Sequence, residues 1–355
     1  MKSITQSQGE ALTAALSRRQ RQRFTILVAA SVVLAAVIIA GIGVGALAIA
    51  PDDVITALLG VSNDPVVTAV VVDIRLPRVL LGLLVGGALA TAGAAMQGLF
   101  RNPLADPGLV GVSSGAALGA VMVIVVFGDA WGSSRPLMLP LAAFVGALLT
   151  TFIIQRLATF DGRTTTALLL LAGIAINSIA GAGLGFAAFI STDQQLRDLT
   201  FWTLGSLASS DPRTLAPAAL LMIIAIVGLA LQARVLDAYI LGESDAGYLG
   251  VNVERNKRIV VALVALGTGA AVAAAGIIGF VGLVVPHLVR QLVGTAHSWL
   301  MPMSVILGAA ILLLSDMAAR LVVLPAELPI GILTSALGGP FFLALLLANR
   351  RRFAF

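Results

Sequence analysis

Few side chains in this sequence could do covalent or metal chemistry. The chain has no cysteine, which excludes disulfides, thiolate catalysis and Cys-ligated metal or iron–sulfur sites. Its two lysines, Lys2 and Lys257, lie outside any Gly-x-x-x-x-Gly-Lys-Ser/Thr sequence, so the chain cannot hydrolyse ATP through a P-loop. We expect the two histidines, His287 and His297, to cap or pack helices rather than to ligate a haem. We therefore predict no catalytic residue, no metal site and no cofactor.

Three ionisable residues near apolar stretches are candidates for a role in transport. Asp316 and Arg320 are one helical turn apart, and Glu327 follows them. Secondary transporters usually carry an ionisable residue deep in a span, so these acids leave an ion-coupled mechanism open. A structural ion pair between Asp316 and Arg320 and a role at the external mouth are the other two interpretations.

Two arginines stand in Arg75-Leu-Pro-Arg78, at the end of a segment, 51–78, that the charge distribution places outside the membrane. Pro77 fixes the backbone between them. The two side chains could reach lipid headgroups or pair with Asp73. Alternatively, they could bind acidic residues of an external partner protein.

Two segments expected on the cytoplasmic side are more than connectors. The segment 234–258 is long enough for two short surface helices, and it places Tyr248 and Leu249 among charges. Such a loop could be a docking surface for a cytoplasmic protein or a solvated connector. The prolines of 101–107 force non-helical backbone, which is tolerated near a membrane where it lines protein or a cavity, so this segment is a candidate gate.

The composition predicts that a membrane helix bundle positions these residues. Of the 355 residues, 59% are hydrophobic and 11% are charged, with a mean hydropathy of +1.04, which excludes a disordered chain and argues against a soluble enzyme. The net charge of +5 indicates contact with anionic lipid rather than nucleic acid. Nine charge-free stretches of at least 20 residues are present: 24–51, 79–100, 107–128, 136–155, 164–192, 214–233, 259–289, 291–315 and 328–349.

The charge at the two ends of the chain decides the number of spans. Arginines precede the first stretch and follow the last, so both termini are predicted to be cytoplasmic and the span count to be even. We divide 259–289 near Gly276 into about 259–275 and 277–293. The sequence then predicts an all-α polytopic bundle of ten transmembrane helices, with a cytoplasmic tail at 1–23 and one permease domain at 24–355. The spacings Gly82/Gly86 and Gly181/Gly185 suit close helix packing in lipid.

Several motifs, in this order and spacing, resemble the FecCD-like permeases, which are the type II importer subunits for iron chelates, haem and cobalamin. The similarity covers nearly the whole chain from about residue 24. The residues that carry it are Arg75-Leu-Pro-Arg78, Gly93, Gln97, Arg101-Asn-Pro-Leu-Ala-Asp-Pro107, Gly111, Gly247-Tyr-Leu-Gly250, the segment from Gly276 to Arg290, Asp316, Arg320, Glu327-Leu-Pro-Ile-Gly331 and Gly338-Gly-Pro-Phe341.

The resemblance implies a non-enzymatic permease in the bacterial cytoplasmic (inner) membrane. It implies a homodimer with an ABC ATPase dimer below it and a periplasmic substrate-binding protein above it. It also implies roles for individual residues. These are binding-protein docking by Arg75, Arg78 and Arg320; ATPase coupling by Glu243, Asp245, Gly247, Tyr248, Leu249 and Gly250; and gating by Asn102, Leu104, Thr165 and Thr166.

The cargo is predicted from a weaker pattern. The sequence Gly111-Val-Ser-Ser-Gly-Ala-Ala resembles the haem importers of the family more than the siderophore importers. Haem is the expected cargo, with a ferric siderophore or cobalamin as alternatives. An ion-coupled secondary transporter and a non-transporting membrane scaffold are the alternatives from other classes.

Overall fold

The computed structural model describes residues 2–45, 47–208 and 212–353, and these residues form a helical bundle. The prediction of an all-α membrane protein is confirmed. The helices are α1 (Lys2–Gly43), α2 (Pro51–Leu58), α3 (Pro65–Ala69), α4 (Leu76–Leu99), α5 (Val112–Val121), α6 (Arg135–Leu157), α7 (Thr166–Ile190), α8 (Asp193–Leu204), α9 (Pro212–Leu231), α10 (Ala233–Leu241), α11 (Glu243–Tyr248), α12 (Val253–Ala275), α13 (Val281–Val293), α14 (His297–Leu321) and α15 (Ile330–Phe353).

Short irregular elements join or extend these helices. A π-helical turn, Val70–Arg75, leads into α4, and another, Met122–Val126, extends α5. Two 3₁₀ turns, Pro107–Val110 and Gly128–Ser134, precede α5 and α6. The strands β1 (Thr159–Phe160) and β2 (Arg163–Thr164) form an antiparallel hairpin between α6 and α7, in which Thr159 pairs with Thr164.

Seven helical segments among the described residues are long and apolar enough to cross a membrane. They are Ser17–Gly43, Pro65–Leu99, Ala130–Leu157, Thr166–Ile190, Arg213–Leu231, Val253–Ala275 and His297–Leu321. Three shorter apolar helices, Val112–Val126, Val281–Val293 and Ile330–Leu345, lie in the remaining predicted stretches. The multi-pass bundle is therefore confirmed, and the count of ten stays a prediction. The predicted tail boundary at residue 23 falls inside α1, which is continuous from Lys2.

The predicted division of 259–289 near Gly276 is confirmed. Helix α12 ends at Ala275, Gly276 has a φ of +70°, and α13 begins at Val281. A Cβ atom on Gly276 would lie 2.3 Å from the carbonyl oxygen of Trp202. Glycine is required here both by the left-handed backbone and by this close approach of another chain segment.

Helix α4 is the centre of the bundle and packs against α14, α12, α9 and α13. A Cβ on Gly86 would lie 2.4 Å from the carbonyl oxygen of Gly308 in α14, and one on Gly82 would lie 2.8 Å from Leu313. The prediction of close packing at Gly82/Gly86 is confirmed. It is wrong for Gly181/Gly185 within the subunit, because a Cβ at either position would have no atom within 4 Å.

Candidate functional site

Five charged side chains near the end of α1 form a connected group, in which four are buried and one is partly exposed. We call Arg75, Arg78, Asp316, Arg320 and Glu327 the arginine cluster. Its central residue is Arg78, whose Nη2 donates to Asp316 Oδ1 at 2.9 Å and whose Nη1 donates to Glu327 Oε2 at 2.9 Å. Arg320 Nε lies 3.1 Å from the other carboxylate oxygen of Asp316. The predicted ion pair between Asp316 and Arg320 is thus present within α14. The contact between Arg78 and Asp316 joins α14 to α4.

The guanidinium groups of Arg75 and Arg320 bind backbone carbonyl groups at the end of α1. The last carbonyls of a helix have no partner within the helix, and cations are favourable there. Arg75 donates to the carbonyl oxygens of Ile42, Gly43 and Leu47, and Arg320 donates to those of Gly41 and Val44. The two guanidinium groups therefore attach the end of α1 to α4 and α14.

The three arginines of the cluster expose little of their side chains to the outside. Arg75, Arg78 and Arg320 are 6%, 8% and 6% exposed, and Asp73 accepts no hydrogen bond from them. Their donors point to internal acceptors. The accessible member of the cluster is Glu327, whose side chain is 43% exposed. Docking of an external protein by these arginines stays a prediction, and in this conformation it requires exchange of an internal partner.

A cavity of about 1050 Å³ lies beside the arginine cluster and was not predicted from the sequence. Glu327 belongs to both. The aromatic side chains Phe201 and Trp202 of α8 form part of the wall, together with an ion pair in which Arg135 Nη2 lies 2.6 Å from Asp198 Oδ2. The cavity extends to Gly276, at the break between α12 and α13. It therefore combines apolar wall, charge and non-helical backbone.

The candidate gate segment after α4 forms a compact turn, as the prolines predicted. Asn102 Oδ1 accepts a hydrogen bond from the backbone N–H of Leu104 at 2.9 Å, and Arg101 has a positive φ of 50°. Asn102 is exposed and Leu104 is half-buried. Asp106 then caps the 3₁₀ turn by accepting from the N–H of Gly108 at 2.7 Å. The turn is ordered by its own side chains, and its role in gating stays a prediction.

The predicted coupling residues lie on α11 and the turn after it. The two short helices expected in 234–258 are α10 and α11, joined at Gly242, which has a φ of +124°. Tyr248 is 90% exposed and Leu249 is 65% exposed, and Asp245, Gly247 and Gly250 are also exposed. An exposed apolar pair surrounded by polar groups is typical of a protein-docking surface. We call Asp245–Gly250 the α11 surface.

No role was predicted for Lys257, which the structure places at a junction of three elements. Its Nζ is within 2.8 Å of both Glu243 Oε2 and the carbonyl oxygen of Thr164, and 3.5 Å from Glu254 Oε1. Glu254 Oε2 accepts from the N–H of Thr164 at 2.8 Å. The spacing of Glu254 and Lys257 along α12 was the available signal, because residues three apart are neighbours on a helix.

The candidate gate residues Thr165 and Thr166 follow directly from this junction. Thr165 precedes the first turn of α7, and its N–H donates to the carbonyl oxygen of Ala158 across the hairpin at 3.2 Å. Further along α7, a Cβ on Gly173 would lie 2.0 Å from the carbonyl oxygen of Leu109. Helix α7 therefore packs on the 3₁₀ turn that follows the candidate gate segment 101–107, and Thr165 and Asn102 themselves are not paired.

A second buried polar contact joins α10 to the start of α14. Asp237 Oδ1 accepts from the backbone N–H of His297 at 2.8 Å and lies 2.7 Å from its Nδ1. Burial alone would raise the pKa of Asp237, but the hydrogen bonds from His297 outweigh it and hold that pKa below its ordinary value. His297 is thus packed at the start of α14, as expected, but the capping group is Asp237 of α10 rather than His297 itself.

In the part of the chain that the structure describes, no group of three or more His, Asp or Glu residues could hold a metal ion. The cluster, the cavity, the α11 surface and the hairpin can bind proteins or guide a cargo by shape and charge. They offer no arrangement of nucleophile and base.

Comparison with known proteins gives consistent matches. The FecCD transport family matches residues 32–348. The hemin transport system permease protein HmuU of Yersinia pestis is 50% identical over 286 residues, which is 79% of this chain and 84% of that protein. The vitamin B12 import system permease protein BtuC of Escherichia coli O9:H4 is 39% identical over 334 residues, or 94% of this chain and 98% of that protein.

A solved structure is also similar to this one. It is described as an inward-facing conformation of a metal-chelate type ABC transporter, and it is superimposed with a TM-score of 0.79 at 31% identity. The match covers 91% of this chain and 99% of the other.

Proposed function

Because the chain belongs to the FecCD transport family, we propose that it is the permease subunit of an importer that moves haem, or another iron chelate, from the periplasm to the cytoplasm. The family assignment confirms the resemblance found in the motifs. It also makes the chain a membrane permease of an ABC importer, with ATP hydrolysis on a separate subunit. The observation that carries the cargo proposal is the 50% identity to a hemin permease.

The proposed assembly is a homodimer of ten-span subunits in the inner membrane, with both termini in the cytoplasm, an ATPase dimer below and a binding protein above. Three observations support it. The seven long and three shorter apolar helices fill the ten predicted positions. Arginines lie at both ends of the chain. Helix α7 exposes Ile174, Phe186 and Phe189, which suits contact with lipid or a second subunit.

Docking of the binding protein is proposed to act on Arg78 through Glu327. Arg78 Nη1 is bound to a carboxylate that is itself 43% exposed, so an incoming carboxylate could take its place. Exchange of one carboxylate for another keeps the arginine paired and avoids a buried, uncompensated charge. Asn102, Leu104, Thr165 and Thr166 are proposed to line the cytoplasmic gate, and the α11 surface is proposed to bind the ATPase.

The cavity beside Glu327 is proposed as part of the external entrance for the cargo. Haem has a flat apolar ring and carboxylates, and the wall offers Phe201, Trp202 and Arg135. Cobalamin is the second candidate cargo, because several relatives, including BtuC of Halobacterium salinarum at 43% identity, are named as cobalamin or vitamin B12 permeases.

The test is transport in proteoliposomes that contain this chain, its ATPase and its binding protein, with haem, cobalamin or a ferric siderophore offered separately. ATP-dependent accumulation of haem alone supports the proposal. Accumulation of cobalamin or of the siderophore instead would identify that molecule as the cargo. Uptake that follows an imposed ion gradient without ATP would favour an ion-coupled transporter, and no uptake of any kind would favour a scaffold.

A further inference from the structure

Lys257 lies where α11, α12 and the hairpin before α7 meet. Its side chain is buried, with 4% exposure, at the first turn of α12. Three elements supply its partners: Glu243 begins α11, Glu254 lies on α12, and Thr164 ends the hairpin. Lys2 is the only other lysine in the sequence.

The hairpin is held at both backbone groups of a single residue. Thr164 is 2% exposed; its carbonyl oxygen accepts from Lys257 and its N–H donates to Glu254. Arg258 adds a third tie, from Nη2 to the carbonyl oxygen of Gly162 at 3.0 Å. The start of α12 and the hairpin therefore move together, because separating them would leave the buried carbonyl and N–H groups of Thr164 without these partners.

Glu243 links this pair to the α11 surface. It is the first residue of α11, and its side chain is 41% exposed. Its Oε2 atom lies 2.8 Å from Lys257 Nζ. Helix α11 follows Gly242, whose φ of +124° marks a sharp change of direction. A displacement of α11 thus acts on Lys257 through one short charged contact, beside the hydrogen bond from Tyr239 of α10 to the carbonyl oxygen of Val253 at the start of α12.

The path continues to the candidate gate. Thr164 is followed by Thr165 and Thr166 at the start of α7, and α7 packs through Gly173 on the carbonyl oxygen of Leu109. Two charged contacts, from Glu243 to Lys257 and from Lys257 to Thr164, therefore connect α11 with the start of α7. Gly173 then packs against Leu109, two residues beyond the candidate gate segment 101–107. The ties to Lys257 are hydrogen bonds with charge, which hold direction as well as distance.

We propose that Lys257 is the positioning residue that transmits movement of the ATPase-bound α11 surface to the hairpin and to the start of α7. This inference rests on the proposed function, since it takes the α11 surface as the ATPase contact. Lys257 itself contacts neither ATP nor cargo. Its loss should separate ATP hydrolysis from movement of α7.

The variant Lys257→Met removes the ammonium and keeps an unbranched chain of similar length. Glu243 and Glu254 are 41% and 29% exposed, so water can solvate the carboxylates that it leaves. Arg163→Gln is the matched control. It removes one positive charge from the same hairpin, one residue before Thr164, where the side chain is exposed.

The first measurement is cargo moved per ATP hydrolysed in the full importer. We expect Lys257→Met to keep ATP hydrolysis and to lower this ratio about tenfold, while Arg163→Gln keeps both. Glu243→Gln should lower the ratio as well, and Lys257→Met with Glu243→Gln should be no worse than Lys257→Met alone, because both remove the same link. A parallel loss of hydrolysis and uptake, or an additive double variant, would contradict the proposal.

The second measurement needs no cargo. Because the chain has no cysteine, Thr166→Cys provides a single reactive thiol at the start of α7. Its labelling rate should change when ATP is added to the complex, and Lys257→Met should abolish this change while hydrolysis continues. The inference is overturned if the labelling rate still responds to ATP in Lys257→Met. It is also overturned if the labelling rate does not respond to ATP when Lys257 is present. Failure of the ATPase to bind this chain at all would instead overturn the proposed function.

Discussion

Replacing Arg78 with methionine tests whether the arginine cluster holds the bundle together. Arg78 donates three hydrogen bonds to Asp316, which is 1% exposed, and one to each carboxylate oxygen of Glu327. Removing one partner of a buried ion pair costs about 3–5 kcal/mol, because the remaining charge is left without compensation. Asp316 keeps Arg320 at 3.1 Å, so we expect the low end, about 3 kcal/mol.

The matched control is Arg135→Met. Arg135 forms a short ion pair with Asp198, at 2.6 Å, but the side chains are 36% and 28% exposed. Exposed pairs contribute about 0–1 kcal/mol. The two variants therefore share the same substitution, arginine to methionine, and the same type of partner, a carboxylate. They differ in how deeply the ion pair is buried.

The free energy of unfolding would be measured by denaturant titration in mixed micelles, followed by tryptophan fluorescence. Arg78→Met should lose about 2–3 kcal/mol more than Arg135→Met. A second check is Arg78→Met combined with Asp316→Asn, which should lose less than the sum of the single variants, because the carboxylate is no longer stranded. If Arg78→Met and Arg135→Met lost the same free energy, the assignment of a structural role to the cluster would be wrong.

Three further predictions follow from the packing, the polar contacts and the exposed surface. Gly86→Ala should cost about 1–3 kcal/mol of unfolding free energy in the same titration, because its Cβ would meet backbone 2.4 Å away, whereas Gly181→Ala should be neutral in the isolated subunit. Asp237→Ala should cost about 1–3 kcal/mol at neutral pH, since His297 loses the acceptor for two N–H groups. The folded pKa of Asp237 is lowered, so this difference is fully present above the ordinary pKa of 3.8 and should shrink as pH falls through the lower folded value. Tyr248→Ser should weaken co-purification of the ATPase subunit without changing the thermal stability of the permease, because the side chain is 90% exposed and contributes to no core.

The overall architecture follows from the sequence because charge and apolar length dominate in a membrane. Gaps between charges located the apolar helices, and the glycine at 276 located a break that no charge marks. The same counting could not show that α1 is continuous through the first 23 residues, since a polar helix and a polar tail have the same composition there.

The individual sites were harder to predict, because burial depends on contacts between distant segments. Arg75 and Arg320 look like surface residues by position, yet the unpaired carbonyls at the end of α1 bind them inside the bundle. Lys257 has partners 93 and 14 residues away, and no local pattern specifies the first of these. The exposure of Tyr248 and Leu249 was easier to anticipate, because they lie in a short segment that contains charged residues and glycines rather than in a long apolar stretch.

The all-round burial of α4 has a consequence for how such a chain can diverge. From Val85 to Leu99 its side chains are small or closely fitted, and each faces another helix. A substitution there requires a matching change on a neighbour, whereas α7 and α9 can exchange one apolar residue for another against lipid. Drift among descendants of this sequence should therefore accumulate on the periphery first, and α4 should retain the oldest record of common ancestry.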